Sequence, residues 1–178
     1  MASPQTITNP RSGQRMIFRK TAEDTNGAFL EIESFNPPSD EKEPEHIHPK
    51  QESSAEVLSG FLHFSIDGKI QIVGPGEKIT IPVGVRHFFW NEGPLEAHSI
   101  QYFYPAGTMD RFLKSYFALA KAGKLNKNGL PPLLVIARLG LKHQNDIRLV
   151  KPPWLMQKIL YLALAPAGKI LGVPTEYE

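Results

Sequence analysis

Between residues 15 and 104 apolar and polar side chains alternate over short runs, and Gly, Pro or Asn interrupts them. A period of two marks strands with one buried face. On this basis strands are predicted at 15–19, 28–35, 61–66, 69–73, 79–82, 87–91 and 97–104. In the second run Phe29, Glu31 and Glu33 share one face, and Leu30 and Ile32 share the other. Asp67-Gly68 sits between two alternating runs and predicts a hairpin, since both residues tolerate the positive φ of a two-residue turn. Asn26-Gly27 marks another turn. Short strands at regular spacing with Gly and Pro between them predict a mainly β protein, a sandwich or barrel. Residues 1–14 are polar and are expected to form a loose lead-in, and the acidic, proline-rich stretch 36–45 a solvated loop.

At Pro105-Ala106-Gly107 the period lengthens from two toward four. Thr108 is placed as the N-cap of a first helix, with Asp110 in its first turn and Gly123 as its stop. Phe112, Tyr116, Phe117 and Ala120 fall on one side of it. Pro131-Pro132 opens a second helical run from Leu133 to Leu139, and Pro152-Pro153 a third from Trp154 to about residue 165. The third run is strongly apolar but carries Gln157, Lys158, Pro166 and Lys169, so a membrane span is not expected. Phe112, Phe117, Leu134, Ile136, Trp154, Ile159 and Leu160 are expected to be buried against the β region or a partner subunit, because large apolar side chains gain by leaving water. The chain thus divides into a β domain, 1–107, and a helical extension, 108–178.

The candidate chemistry lies within the β region. His46 and His48 are one residue apart on an extended stretch and point to the same side. His87 returns from a later strand, and the Asp67-Gly68 hairpin between them brings the two segments together. Imidazole is the commonest metal-binding side chain. The spacing around these residues resembles the two motifs of the cupin family. The first motif, H-x-H, four residues, E, six residues, G, is met by His46, His48 and Gly60. The second, G, five residues, P-x-G, two residues, H, three residues, N, is met by Gly76, Pro82, Gly84, His87 and Asn91. The resemblance implies a jelly-roll barrel with a divalent metal ion (iron, manganese, nickel or zinc) held inside by His46, His48 and His87.

The chain departs from the family at the glutamate of the first motif, where it has Ser53, with Glu52 one residue early. Alternation puts Ser53, Ala55 and Val57 on one face and Glu52, Ser54 and Glu56 on the other. Regular alternation therefore turns Ser53 inward, whereas a bulge near Pro49 would turn Glu52 inward as a fourth ligand. Three neutral imidazoles without a carboxylate leave the metal's charge uncompensated and positions open, an arrangement that favours an anionic or enolate ligand. His63, His98 and His143 are isolated along the chain and are expected to be satisfied or surface residues rather than ligands.

Composition narrows this further. With 178 residues the chain holds one core. It has no Cys, which excludes disulfides and thiolate zinc sites. Residues 1–100 carry 9 basic and 14 acidic side chains, a balance of −5, and residues 101–178 carry 11 and 4, a balance of +7. No basic patch interleaved with aromatics accompanies the positive half, so nucleic-acid binding is not expected. The N-terminal residues lack the basic and apolar segments of a secretory signal, so a cytoplasmic protein is expected. A homodimer is the expected assembly. The resulting expectation is a metal-dependent oxygenase, dioxygenase-like, for a small aromatic or enolisable compound. The alternative is a non-catalytic protein that binds or senses a small molecule in the same pocket. A weaker third reading has the basic tail touching an anionic membrane surface.

Overall fold

The computed structural model describes residues 5–177. Two antiparallel sheets form the β region. Strands β1 (Thr6–Thr8), β2 (Arg15–Lys20), β3 (Leu30–Asn36), β5 (Glu52–Ser59), β8 (Lys78–Ile81) and β10 (Ala97–Tyr104) make the six-stranded sheet, in the order β1-β2-β3-β10-β5-β8. The second sheet holds β4 (His46–Ile47), β6 (Leu62–Ile66), β7 (Lys69–Val73), β9 (His87–Trp90) and β11 (Arg148–Leu149), in the order β11-β4-β9-β6-β7. This is the mainly β architecture that the alternating runs imply, followed by helices α1 (Met109–Lys121), α2 (Leu133–Lys142) and α3 (Trp154–Ile170).

The alternation has a direct consequence for packing. Ala55, Val57, Ile79, Ile81 and Ala97 of the larger sheet meet Leu62, Phe64 and Val73 of the smaller one in a shared core. A second cluster lies at the other end of the larger sheet. There Met16, Phe18, Leu30, Ile32 and Phe103 are covered by Met109 and Phe117 of α1. Asp67 (φ 49) and Gly68 (φ 79) adopt the left-handed turn predicted for them. Gly60 of the first motif has φ +71, and a Cβ there would come within 2.7 Å of the Ala97 backbone, so only glycine fits where β5 turns.

Several expectations are corrected. The lead-in contains β1, which pairs with β2 through Ile7 and Met16. The extension supplies β11 to the smaller sheet, where Leu149 pairs with His46. Two residues are too few to show a period, so no alternation marks this strand. Thr108 occupies the N-cap position but makes no capping bond, because its hydroxyl is engaged by Asp146 and His143. Helix α3 runs through Pro166 to Ile170 rather than stopping near 165. Packing on α2 spans the proline: the Tyr161 ring lies against Gly140 before it, and Gly168 lies against Arg138 after it. Ile159 and Leu160, expected to be buried, are exposed.

Candidate metal centre

His46 and His87 lie directly across from each other in paired strands, and His48 follows two residues after His46. The Gly84 N–H donates to the His48 carbonyl at 2.9 Å and ties together the loops that carry the two motifs. Asn91 of the second motif closes the structure behind them: its Nδ2 donates to the carbonyls of Asn36 and Leu95 at 2.7 and 2.8 Å. The three imidazoles converge, with ring centroids 4.4 to 5.1 Å apart. One ligand atom from each lies within 4.8 Å of the other two, and all three residues are buried.

Hydrogen bonding fixes which nitrogen is available. Nδ1 of His46 donates to the Pro44 carbonyl at 2.8 Å, Nδ1 of His48 to Asp146 at 2.7 Å, and Nδ1 of His87 to Val85 at 2.9 Å. A carbonyl only accepts, so each Nδ1 carries the proton and each Nε2 keeps its lone pair. Burial, followed by the neighbouring imidazoles, holds His46 well below the usual histidine range and pulls His48 down to about 3. Burial likewise lowers His87. Three neutral imidazoles, each oriented by a carbonyl bond and offering a free nitrogen, fit the donor set of a divalent ion.

Glu52 is exposed and is not brought to the three histidines. Ser53 is buried and faces the cavity beside them. The strand pairs without a shift here, Ser53 with Ile81 and Ser54 with Thr80, so alternation decides the direction and no bulge turns Glu52 inward. The remaining histidines have other partners. His63 stacks on Trp90, and His98 stacks on Phe35 and bonds Glu33 at 2.7 Å. His143 is fully buried against Thr108.

The centre opens on a cavity of about 160 Å³. Its barrel side is formed by Ser53, Ala55, Phe64, Phe89, Gln101 and Phe103. Its far side belongs to the extension, through Phe112, Ile136, Leu139, Trp154 and Tyr161. Polar groups are few, which makes this an apolar chamber with the imidazoles at one end.

Glu43 also faces the chamber and was missed by sequence reasoning, which read its loop as solvated. Its Oε2 lies 3.7 Å from His46 Nδ1. The side chain is 31% exposed and is part of the cavity lining. Burial pushes its carboxyl up to about 8. Nothing local marks Glu43 apart from its acidic neighbours Glu41 and Glu45; its setting is created by Tyr116 and Gly129 of the extension, which line the cavity with it.

The family pattern described as a cupin domain matches residues 35–101. Among solved structures, the chain is similar to a sugar phosphate isomerase of the cupin superfamily from Silicibacter pomeroyi DSS-3, at 17% identity and TM-score 0.48, covering 57% of this chain and 71% of that one. It is also similar to KdgF from Halomonas sp., at 14% identity and TM-score 0.48, covering 57% and 88%. A predicted oxalate decarboxylase from Thermotoga maritima aligns at 20% identity and TM-score 0.48, covering 58% and 92%. No curated protein sequence matches the chain.

Proposed function

The chain is a cupin-domain protein, and on that premise we propose that it is a metal-dependent oxygenase for a small aromatic or enolisable compound. The observation that carries the reading is the joining of three neutral, carbonyl-oriented imidazoles to an apolar chamber of about 160 Å³. An apolar protein cavity of about 150 Å³ admits benzene, so the chamber suits a ligand built on a single ring.

The chain's own residues divide the work. His46, His48 and His87 would hold a divalent ion through Nε2. When bound, the ion supplies Lewis-acid polarisation of a substrate oxygen and, for a redox-active metal, access to dioxygen. Phe64, Phe89 and Phe103 pack against the ligand's ring, and Gln101 and Ser53 offer it the polar contacts that set its orientation. Trp154 and Tyr161 close the far side and exclude water. Glu43 holds a proton at its carboxyl on the cavity wall.

The test is metal analysis of untagged protein followed by oxygen-electrode measurements with a panel of enolisable single-ring compounds. Metal at one ion per chain, and oxygen uptake that disappears in His87→Ala, are the expected results. Ligand-dependent thermal stabilisation with no uptake under any of the four metals would replace the oxygenase with a binding or sensing protein.

A further inference from the structure

Helix α3 has two unlike sides. Trp154, Gln157, Tyr161 and Gly168 lie toward α2 and the cavity. On the other side Leu155, Met156, Ile159, Leu162 and Ile170 are exposed, Leu155 at 70% and Ile170 at 85%. At about 100° per residue, Leu155, Ile159, Leu162, Pro166 and Ile170 fall within about 80° of one another. The polar exposed residues of α3 are Lys158 and Lys169, which lie about 20° apart along one border of the apolar strip. Seventeen residues make the strip about 25 Å long. Contiguous apolar surface of this extent marks a contact site.

Charge identifies the occupant. From 149 to 175 the chain contains Lys151, Lys158 and Lys169, all exposed, and no carboxylate side chain. We propose that this face seats α3 on an anionic lipid bilayer, with the apolar strip in the boundary between headgroups and acyl chains and the lysines at the lipid phosphates. Lysine is suited to such a border, since its stem follows the apolar surface while the ammonium stays among polar groups. No helix among the described residues is long and apolar enough to cross a membrane, so the contact is one of lying on the surface. A second copy placed face to face would bring further lysines from α3 and no carboxylate to meet them. The inner side of the same helix lines the cavity, so a bilayer-dissolved ligand would meet the protein at the cavity's far wall; the docking itself does not depend on what the cavity binds.

The test is flotation of the full chain with vesicles of phosphatidylglycerol and phosphatidylcholine, compared with vesicles of phosphatidylcholine alone. The protein is expected to float with the anionic vesicles, less so as salt is raised, and to stay down with the neutral ones. Each lysine near an anionic surface contributes about fivefold in partitioning, so Lys158→Glu with Lys169→Glu should lower binding about twentyfold or more. Leu155→Ser with Ile159→Ser should abolish flotation while near-UV circular dichroism stays unchanged, since neither side chain is buried. Equal flotation with neutral vesicles overturns the proposal, as does no flotation at all. A dimer in size-exclusion chromatography that the serine variant converts to monomer, without vesicle binding by the parent, assigns the face to a second copy and also overturns it.

Discussion

His48 donates from Nδ1 to the backbone carbonyl of Asp146 at 2.7 Å, across 98 residues of chain. A histidine of the barrel is therefore oriented by the helical extension. Asp146 is held in turn by Thr108, whose N–H and hydroxyl both donate to its carboxylate. Since the Thr108 hydroxyl proton is committed to Asp146, His143 Nδ1 is the donor in its 2.7 Å bond to Thr108 Oγ1. The candidate centre is thus a joint product of barrel and extension.

Thr108→Val keeps the shape of the side chain and removes this link. Buried Asp146 and His143 then lose a partner, which is expected to destabilise the fold by about 1–3 kcal/mol in urea unfolding. With Asp146 less firmly held, its carbonyl orients His48 Nδ1 less well, which should weaken metal affinity by about 10–100-fold. Thr108→Ser restores the hydroxyl and should recover most of both. Unchanged metal affinity in the valine variant would show that the extension does not steady His48.

Gly107→Ala attacks the same contact from the backbone. Gly107 has φ +56, and a Cβ there would lie 1.9 Å from Asp146 Oδ1 and 2.9 Å from Gln51 Nε2. Gly123 provides a control, with φ +66 and nothing within 4 Å of its Cβ position. Alanine at either site should lose about 1–2 kcal/mol to the left-handed backbone. Gly107→Ala alone should lose more and should also release metal. Equal losses in denaturant melts of the two variants would remove the steric contribution of Asp146.

What the sequence disclosed and what it hid divide along the range of the interactions. The His46–His48 pair, the Asp67-Gly68 turn and the inward Ser53 follow from alternation and local turn chemistry, so they are legible over a few residues. Strand β11, the Thr108–Asp146–His143 cluster and the setting of Glu43 depend on segments far apart in sequence meeting in space, and no local period records that. The apolar side chains of α3 were legible as residues that gain from burial. That Ile159 and Leu160 remain outside follows from α2 being able to cover only one side of the helix.

Acidification should destabilise the metal-free protein. His46, His48 and His87 have folded-state values below the unfolded histidine value of 6.5, that of His48 about 3. Their contribution is therefore present above pH 6.5 and is lost as pH falls through the depressed values. Each proton taken up only on unfolding adds a slope of about 1.4 kcal/mol per pH unit. Glu43 works in the other direction. Its folded value of about 8 lies above its ordinary 4.5, so its contribution is present below 4.5 and is lost as pH rises toward 8. Urea melts from pH 4 to 8 should show a fall toward acid, and Glu43→Gln should flatten the curve between 6.5 and 8. A curve for that variant superimposable on the parent's would mean Glu43 is ordinarily hydrated.

The position where the chain departs from the cupin pattern gives the sharpest test of the site. Ser53 is buried in the cavity wall, in register between Ile81 and Phe103, whereas Glu52 is exposed opposite Tyr104. Ser53→Glu would place a carboxylate beside three neutral imidazoles. Without metal that is a buried, unpaired charge and should destabilise the protein or remain protonated. With a divalent ion it becomes an anionic oxygen donor, so metal should bind more tightly and restore more stability than in the parent. Glu52→Ala removes an exposed side chain and should alter stability by no more than about 0.5 kcal/mol, with metal affinity unchanged. Isothermal titrations of both variants with zinc and manganese compare the two positions directly. Loss of metal from Glu52→Ala, with no gain from Ser53→Glu, would mean that the chain binds its ion with a carboxylate and that the three-histidine set is incomplete.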